Sequence, residues 1–246
     1  MAQIMSQQRF TGVRALVTGA TSGIGQAISL ALAGGGARVL AVGADEERTR
    51  AVGAALSGLG SGHHTVRGDL MSAAFLSELA HETMTWSEGR LSLLVCSAGH
   101  HEAASIEQTP ATSFDATVAV NLRAPFLLTG SLLPAIRAAR GMIAFVNSSI
   151  VKHPRPGIAA YAASKAGLRG FADCLRTEVS GDGVRVLSIF LGRTATPMQR
   201  ARYGLEGLEY RPERLLQPDD VAAAVLGAFE SPGEVTDLEL RPLHRV

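Results

Sequence analysis

Cysteine is scarce in this 246-residue chain: Cys96 and Cys174 are the only two, with no CxxC pair and no metal-ligand spacing. That excludes a disulfide scaffold and a thiolate zinc site, and both residues read as small and buried. An excess of charge of one sign is lacking too, since 23 Lys and Arg against 22 Asp and Glu leave a net charge of +1. Phosphate-driven binding needs clustered cations, so no nucleic-acid partner is expected. The first ten residues hold no apolar signal core, and no apolar run approaches the ~20 residues of a membrane helix. The expectation is a cytoplasmic protein with no membrane partner. No low-complexity linker or internal repeat divides the chain, and its 46% hydrophobic content suffices for one sizeable core. One domain, residues 1–246, follows.

What is present alternates. Short apolar runs at Val13–Val17, Val39–Val42, Leu91–Val95, Ile143–Val146, Val184–Phe190 and Val235–Leu240 read as strands, and His64–Val66 as a seventh. Runs that are apolar at nearly every position suit parallel strands covered on both faces, and the stretches between them suit helical crossovers. The fold class is therefore α/β, a doubly wound, predominantly parallel sheet. Leu122–Ala139 carries apolar residues at helical spacing, Pro218-Asp219-Asp220 starts another helix, and Gly34-Gly35-Gly36 breaks the chain before the second strand.

Two patterns carry chemistry. After the first strand comes Thr18-Gly19-Ala20-Thr21-Ser22-Gly23-Ile24-Gly25, a glycine turn opening a helix. Such a turn lets backbone approach a pyrophosphate, which the free amides and positive dipole end of the helix then hold. Much later, Tyr161 and Lys165 stand four residues apart in an Ala-rich helical run, so both share one face. An ammonium beside a phenol favours the phenolate and fits it for general acid/base work on an alcohol or carbonyl. Alone, the pair is most often two solvated neighbours.

Together these features make the chain resemble the short-chain dehydrogenase/reductase family almost end to end. Gly19, Thr21, Ser22, Gly23, Ile24 and Gly25 look like its TGxxxGIG turn, Asp69 and Leu70 like its adenine contact, and Ala98 and Gly99 like the end of its NNAG segment. Cys96 and Ser97 replace the two asparagines of that segment. Gly192, Thr194 and Thr196 look like the PGxxxT segment that holds the nicotinamide carboxamide, with Leu191 in place of proline. The resemblance implies a tetrad of Asn121, Ser148, Tyr161 and Lys165, with Ser149 the rival of Ser148. In it Tyr161 exchanges the substrate proton, and Lys165 lowers the tyrosine pKa and holds the nicotinamide ribose. Ser148 orients the substrate oxygen, and Asn121 holds a water linking Lys165 to solvent. The implied function is hydride exchange between a nicotinamide dinucleotide and a secondary alcohol or ketone, against the alternative of a catalytically silent sensor or scaffold that binds the same cofactor. Gly43 stands where NAD-dependent relatives carry aspartate, with Asp45 two positions later and Arg48 a turn beyond. NAD is slightly preferred over NADP, because Asp45 would repel a 2′-phosphate.

The remaining candidates are weaker. His100 and His101 follow Gly99 and read equally as cleft lining or solvated loop, and neither they nor His63-His64 suggest a metal. Lys152, His153 and Arg155 form a basic loop that reads as a solvated face more readily than as an anion site. Residues 198–217 correspond to the variable substrate lid, without a dominant apolar patch. The apolar excess on 122–136 and 159–175 points to a homodimer or homotetramer.

Overall fold

The structure is a computed structural model that describes residues 8–243; residues 1–7 of the polar N-terminal stretch and residues 244–246 lie outside the described residues. Seven parallel strands form one sheet: β1 (Arg14–Thr18), β2 (Arg38–Gly43), β3 (His64–Arg67), β4 (Leu93–Cys96), β5 (Met142–Ser148), β6 (Arg185–Leu191) and β7 (Asp237–Leu240). Their order is β3-β2-β1-β4-β5-β6-β7, the arrangement a doubly wound sheet reaches when its crossovers reverse direction after β3. The reversal leaves a crevice beyond the carboxyl ends of β1 and β4, where ligands of open α/β sheets bind.

The helices are α1 (Gly23–Gly34), α2 (Glu46–Ser57), α3 (Ala73–Trp86), α4 (Ala111–Val118), α5 (Ala124–Ala139), α6 (Ala159–Val179), α7 (Pro197–Leu205) and α8 (Pro218–Glu230). One apolar core joins Ile28 and Leu32 of α1, Val52 and Leu56 of α2 and Val221 and Val225 of α8 to one sheet face. A second joins Leu76 and Leu79 of α3, Leu128 and Leu132 of α5 and Leu168 and Leu175 of α6 to the other. Because adjacent strand residues face opposite cores, Leu16 points into one and Val17 into the other. Each such leucine contributes roughly 1.5–3 kcal/mol by leaving water. Only β7 at the edge shows alternation, with Leu238 and Leu240 half-buried and Asp237 and Glu239 exposed.

Three expectations change. Cys96 is buried but Cys174 is exposed, because it falls on the outer side of α6. The helical run over Ala111–Ala139 is, by length and composition, apolar enough to cross a membrane; the apolar residues on its inner face instead form part of the cover over the sheet. Finally, 122–139 is not one regular helix, since α4 and α5 are joined by a π-helical turn at Ala119–Arg123.

Candidate active site

A cavity of about 990 Å³ opens beyond the carboxyl ends of the strands. Of the residues picked out from sequence, Gly19, Thr21, Ser22, Gly23, Ile24, Asp45, Asp69, Leu70, Ala98, Gly99, Ser148, Tyr161, Lys165, Gly192, Thr194 and Thr196 line it. Gly25 and Asn121 do not. Gly25 packs beneath the turn, where a Cβ would lie 2.3 Å from the carbonyl oxygen of Gly19. Asn121 is wholly buried behind the wall.

The β1–α1 turn is shaped for close approach. Gly19 has φ +66°, and a Cβ there would sit 2.7 Å from Cα of Ala98 at the end of β4. The Thr18 hydroxyl ties the two loops together by accepting from the Ala98 N–H at 3.3 Å. Ser22 caps α1 in extended backbone without a side-chain bond to the helix, so amides of the first turn remain available to a ligand. This cradle suits a pyrophosphate.

At the next strand, Gly43 is dictated by its neighbours: a Cβ would meet the Thr21 methyl at 2.2 Å and the Thr49 hydroxyl at 2.8 Å. A side chain at that position, an aspartate included, would require Thr21 and Thr49 to shift. Asp45 caps α2 instead, accepting from the Arg48 N–H at 2.8 Å, with the Arg48 Nε at 3.4 Å. These contacts, the backbone amide foremost, hold its carboxyl below the usual range. Asp69 closes a turn by accepting from the Met71 N–H at 2.8 Å. On the far side, Gly192 donates its N–H to Leu240 at 2.9 Å, and Thr196 caps α7 by accepting from Gln199 at 3.2 Å.

Ser148 ends β5, and Tyr161 and Lys165 stand on the first turns of α6. Ser149 also borders the cavity, but it begins a short 3-10 turn while the Ser148 hydroxyl caps that turn by accepting from the Ile150 N–H at 3.3 Å. Lys165 is only 4% exposed, and its ammonium donates to the Val146 carbonyl at 2.8 Å. Burial pulls its pKa down to about 8, against a small opposing effect of Cys96. Burial pushes the Cys96 thiol up to about 12, so that sulfur is inert.

Tyr161 departs from expectation. Its rim opens to the cavity, yet the phenol is packed in protein, and burial raises its pKa; the nearby Ser148 hydroxyl and the charge of Arg202 oppose that rise. Lys165 Nζ lies 5.8 Å from the ring centroid, and desolvation sets the direction in which the phenol is shifted.

Asn121 explains the π turn. Its Oδ1 accepts from the His100 N–H at 2.8 Å, and its Nδ2 donates to the His100 carbonyl at 2.9 Å and to the Ser164 hydroxyl at 3.0 Å. The widened turn directs this side chain inward, where it pins the loop after β4 to the start of α6. Both amide hydrogens are thereby engaged with protein. His100 and His101 both line the cavity, and the His101 ring lies 4.7 Å from that of Tyr161. Sequence reasoning left Arg193 and Gln199 unremarked, although both line the cavity with Arg155 and Arg202. Position just after β6 was the available signal for Arg193.

Comparison with known proteins agrees with this geometry. The family model for short chain dehydrogenases matches residues 14–204. An uncharacterized short-chain type dehydrogenase/reductase of Sinorhizobium fredii is 36% identical over 94% of this chain and 92% of its own length. The D-threitol dehydrogenase of Mycolicibacterium smegmatis is 34% identical over 89% of this chain and 86% of its own. Among solved structures, a metagenomic short-chain oxidoreductase in complex with NADP matches with a TM-score of 0.82 at 31% identity, covering 96% of this chain and 100% of that one. The sheet order, the glycine turn and these likenesses together establish that the chain belongs to the short-chain dehydrogenase/reductase family of oxidoreductases.

Proposed function

We propose that the protein interconverts a secondary alcohol and a ketone, with Tyr161 as general acid/base. The observation that carries this is the opening of Ser148, Tyr161 and Lys165 into the same cavity as the glycine turn. The turn fits a dinucleotide, since a side chain at Gly19 would fill the approach that a pyrophosphate needs. Bound there, a nicotinamide dinucleotide supplies or accepts the hydride. Tyr161 donates its hydroxyl proton to the carbonyl oxygen in reduction and takes it back in oxidation. The Ser148 hydroxyl holds that oxygen in place. Lys165, anchored by one hydrogen to Val146, keeps its others for the ribose of the cofactor. Asn121 acts through position, holding the His100 backbone and the first turn of α6 in register.

The nucleotide preference is proposed as NAD. Arg48, on the cavity wall, is paired with Asp45 at 3.4 Å, and the Asp45 carboxylate beside it repels a 2′-phosphate. Two similar solved structures were crystallised with NADP, which makes separate NADH and NADPH titrations the deciding measurement; tighter NADPH binding refutes the preference. A homo-oligomer is proposed from the exposed Phe126 and Leu127 on α5, and a monomer by light scattering would reject it.

Nicotinamide absorbance with a panel of ketones and alcohols tests the reaction. Tyr161→Phe is expected to lose on the order of 10²–10⁴ in kcat while still binding cofactor. Turnover surviving in this variant removes Tyr161 from its role. NADH binding by wild type without turnover on any substrate favours a silent sensor or scaffold.

A further inference from the structure

Three arginines from three separate segments meet at the substrate side of the cavity. Arg155 comes from the loop after β5, Arg193 from the loop after β6, and Arg202 from α7; all three line the cavity. The side chains of Arg193 and Arg202 are 19% and 13% exposed, and they share one carboxylate, Glu206, at 2.8 and 2.6 Å. Arg155 pairs with no carboxylate among the described residues. The other acids nearby are committed elsewhere: Glu239 to Lys152 and Arg241, and Glu102 lies 4.0 Å from His100. Two part-buried guanidinium groups, Arg193 and Arg202, and the exposed Arg155 on the same cavity wall thus face one carboxylate.

Such an arrangement is costly without a counter-ion, because like charges taken out of water repel one another with little screening. The cost is visible at Arg155, whose pKa is drawn down by burial, then by Arg202 and Arg193. Hydrogen-bonding capacity is left over as well. Arg193 Nη1, Gln199 Nε2, His101 Nε2 and the Tyr203 hydroxyl are buried without a hydrogen-bond partner, and the Arg193 guanidinium lies 4.6 Å from the centroid of the Tyr203 ring. Unsatisfied buried donors beside guanidinium groups that outnumber their carboxylate, all lining one cavity, suit an acceptor-rich anion. The position suits a substrate, since the three arginines line the same cavity as Ser148, Tyr161 and His101.

We propose that the substrate carries an oxyanion group, a carboxylate or a phosphate ester, seated among Arg155, Arg193 and Arg202 while its reacting oxygen lies at Ser148 and Tyr161. This rests on the hydride-transfer reading above for the reacting end and on the arginine cluster for the anionic end. It sets the protein apart from a dehydrogenase for a neutral polyol.

The test compares matched probes: 3-oxobutanoate and 4-oxopentanoate against their methyl esters, and dihydroxyacetone phosphate against dihydroxyacetone. The expected result is a higher kcat/KM for the anionic member of at least one pair, and which pair shows it assigns carboxylate or phosphate. Arg155→Gln should lower the anion-to-neutral ratio of kcat/KM roughly tenfold, the loss of one charge-assisted contact. Equal or better use of every neutral member, or a ratio unmoved in Arg155→Gln, overturns the proposal. A binding arm keeps it separate from the chemistry: calorimetric titration of the full chain with 4-oxopentanoate and with inorganic phosphate at low ionic strength. Binding that is weakened in Arg155→Gln supports the anion site, and binding of neither probe overturns it. Anion binding with no hydride transfer to any probe refutes the proposed reaction and leaves the anion site standing.

Discussion

Replacing Lys165 by methionine should make the ligand-free protein respond differently to pH, and the size of the effect follows from burial. The ammonium has an ordinary pKa of 10.5, which its surroundings draw down to about 8 in the folded chain. At 1.36 kcal/mol per pH unit, that gap of about 2.5 units corresponds to roughly 3 kcal/mol. Because the folded value is the lower one, the unfolded chain binds more protons between the two values, and stability due to this group rises with pH across that window. Below about pH 8 both states are protonated and the full desolvation cost stands. Lys165→Met removes that cost, and also the bond to Val146 at 2.8 Å, whose stranded carbonyl costs about 1–3 kcal/mol. Near pH 7 the two changes largely offset, leaving the variant within roughly 2 kcal/mol of wild type. From about pH 8 to pH 10.5, wild type should then gain roughly 3 kcal/mol relative to the variant. Denaturant unfolding of both proteins across this range measures the difference, and groups common to both cancel. A difference independent of pH would refute the claim that burial governs Lys165.

Three further outcomes follow from the geometry. Gly19→Ala, forced to φ +66° with its Cβ 2.7 Å from Ala98, should destabilise by about 1–3 kcal/mol and abolish NADH fluorescence enhancement; a native-like Tm with unchanged binding contradicts the close-approach argument. Spectrophotometric titration of the ligand-free protein, wild type minus Tyr161→Phe, should show Tyr161 ionising above its ordinary value of 10.0, and a phenolate forming near neutrality would show that Lys165 dominates after all. In the native state a thiol reagent should modify Cys174 and spare Cys96 until denaturant is added; rapid modification of both would disprove the burial of Cys96.

The sequence legible by itself was that of the sheet and of the cofactor cradle. Parallel strands buried on both faces must be apolar throughout, so the five inner strands announce themselves, while edge strands β3 and β7 mix polar and apolar positions; bounds shift by up to two residues, as Val13–Val17 becomes β1 at Arg14–Thr18 and Val235–Leu240 shortens to Asp237–Leu240. A glycine turn between strand and helix, and Tyr161 with Lys165 one helical turn apart, are local patterns, and local patterns survive in one dimension. Properties that depend on what surrounds a side chain do not. Periodicity marked 122–139 as helical but could not show the π turn, because that turn exists to carry Asn121 to the His100 backbone and Ser164. Cys174 lies within an apolar-rich helical stretch, yet its face was decided by the packing of α6. The direction in which Tyr161 and Lys165 titrate was set by desolvation, which only the closed core supplies. Arg155, Arg193 and Arg202 are scattered over 48 positions of a nearly neutral chain, and no composition or spacing joins them. The sequence alone determined the strands, the glycine turn and the pairing of Tyr161 with Lys165 on one helix face, whose residues lie within a few positions of one another. The tertiary structure decided which charges are dry and which of them meet, because burial and convergence arise only when the loops beyond the sheet close on the same space.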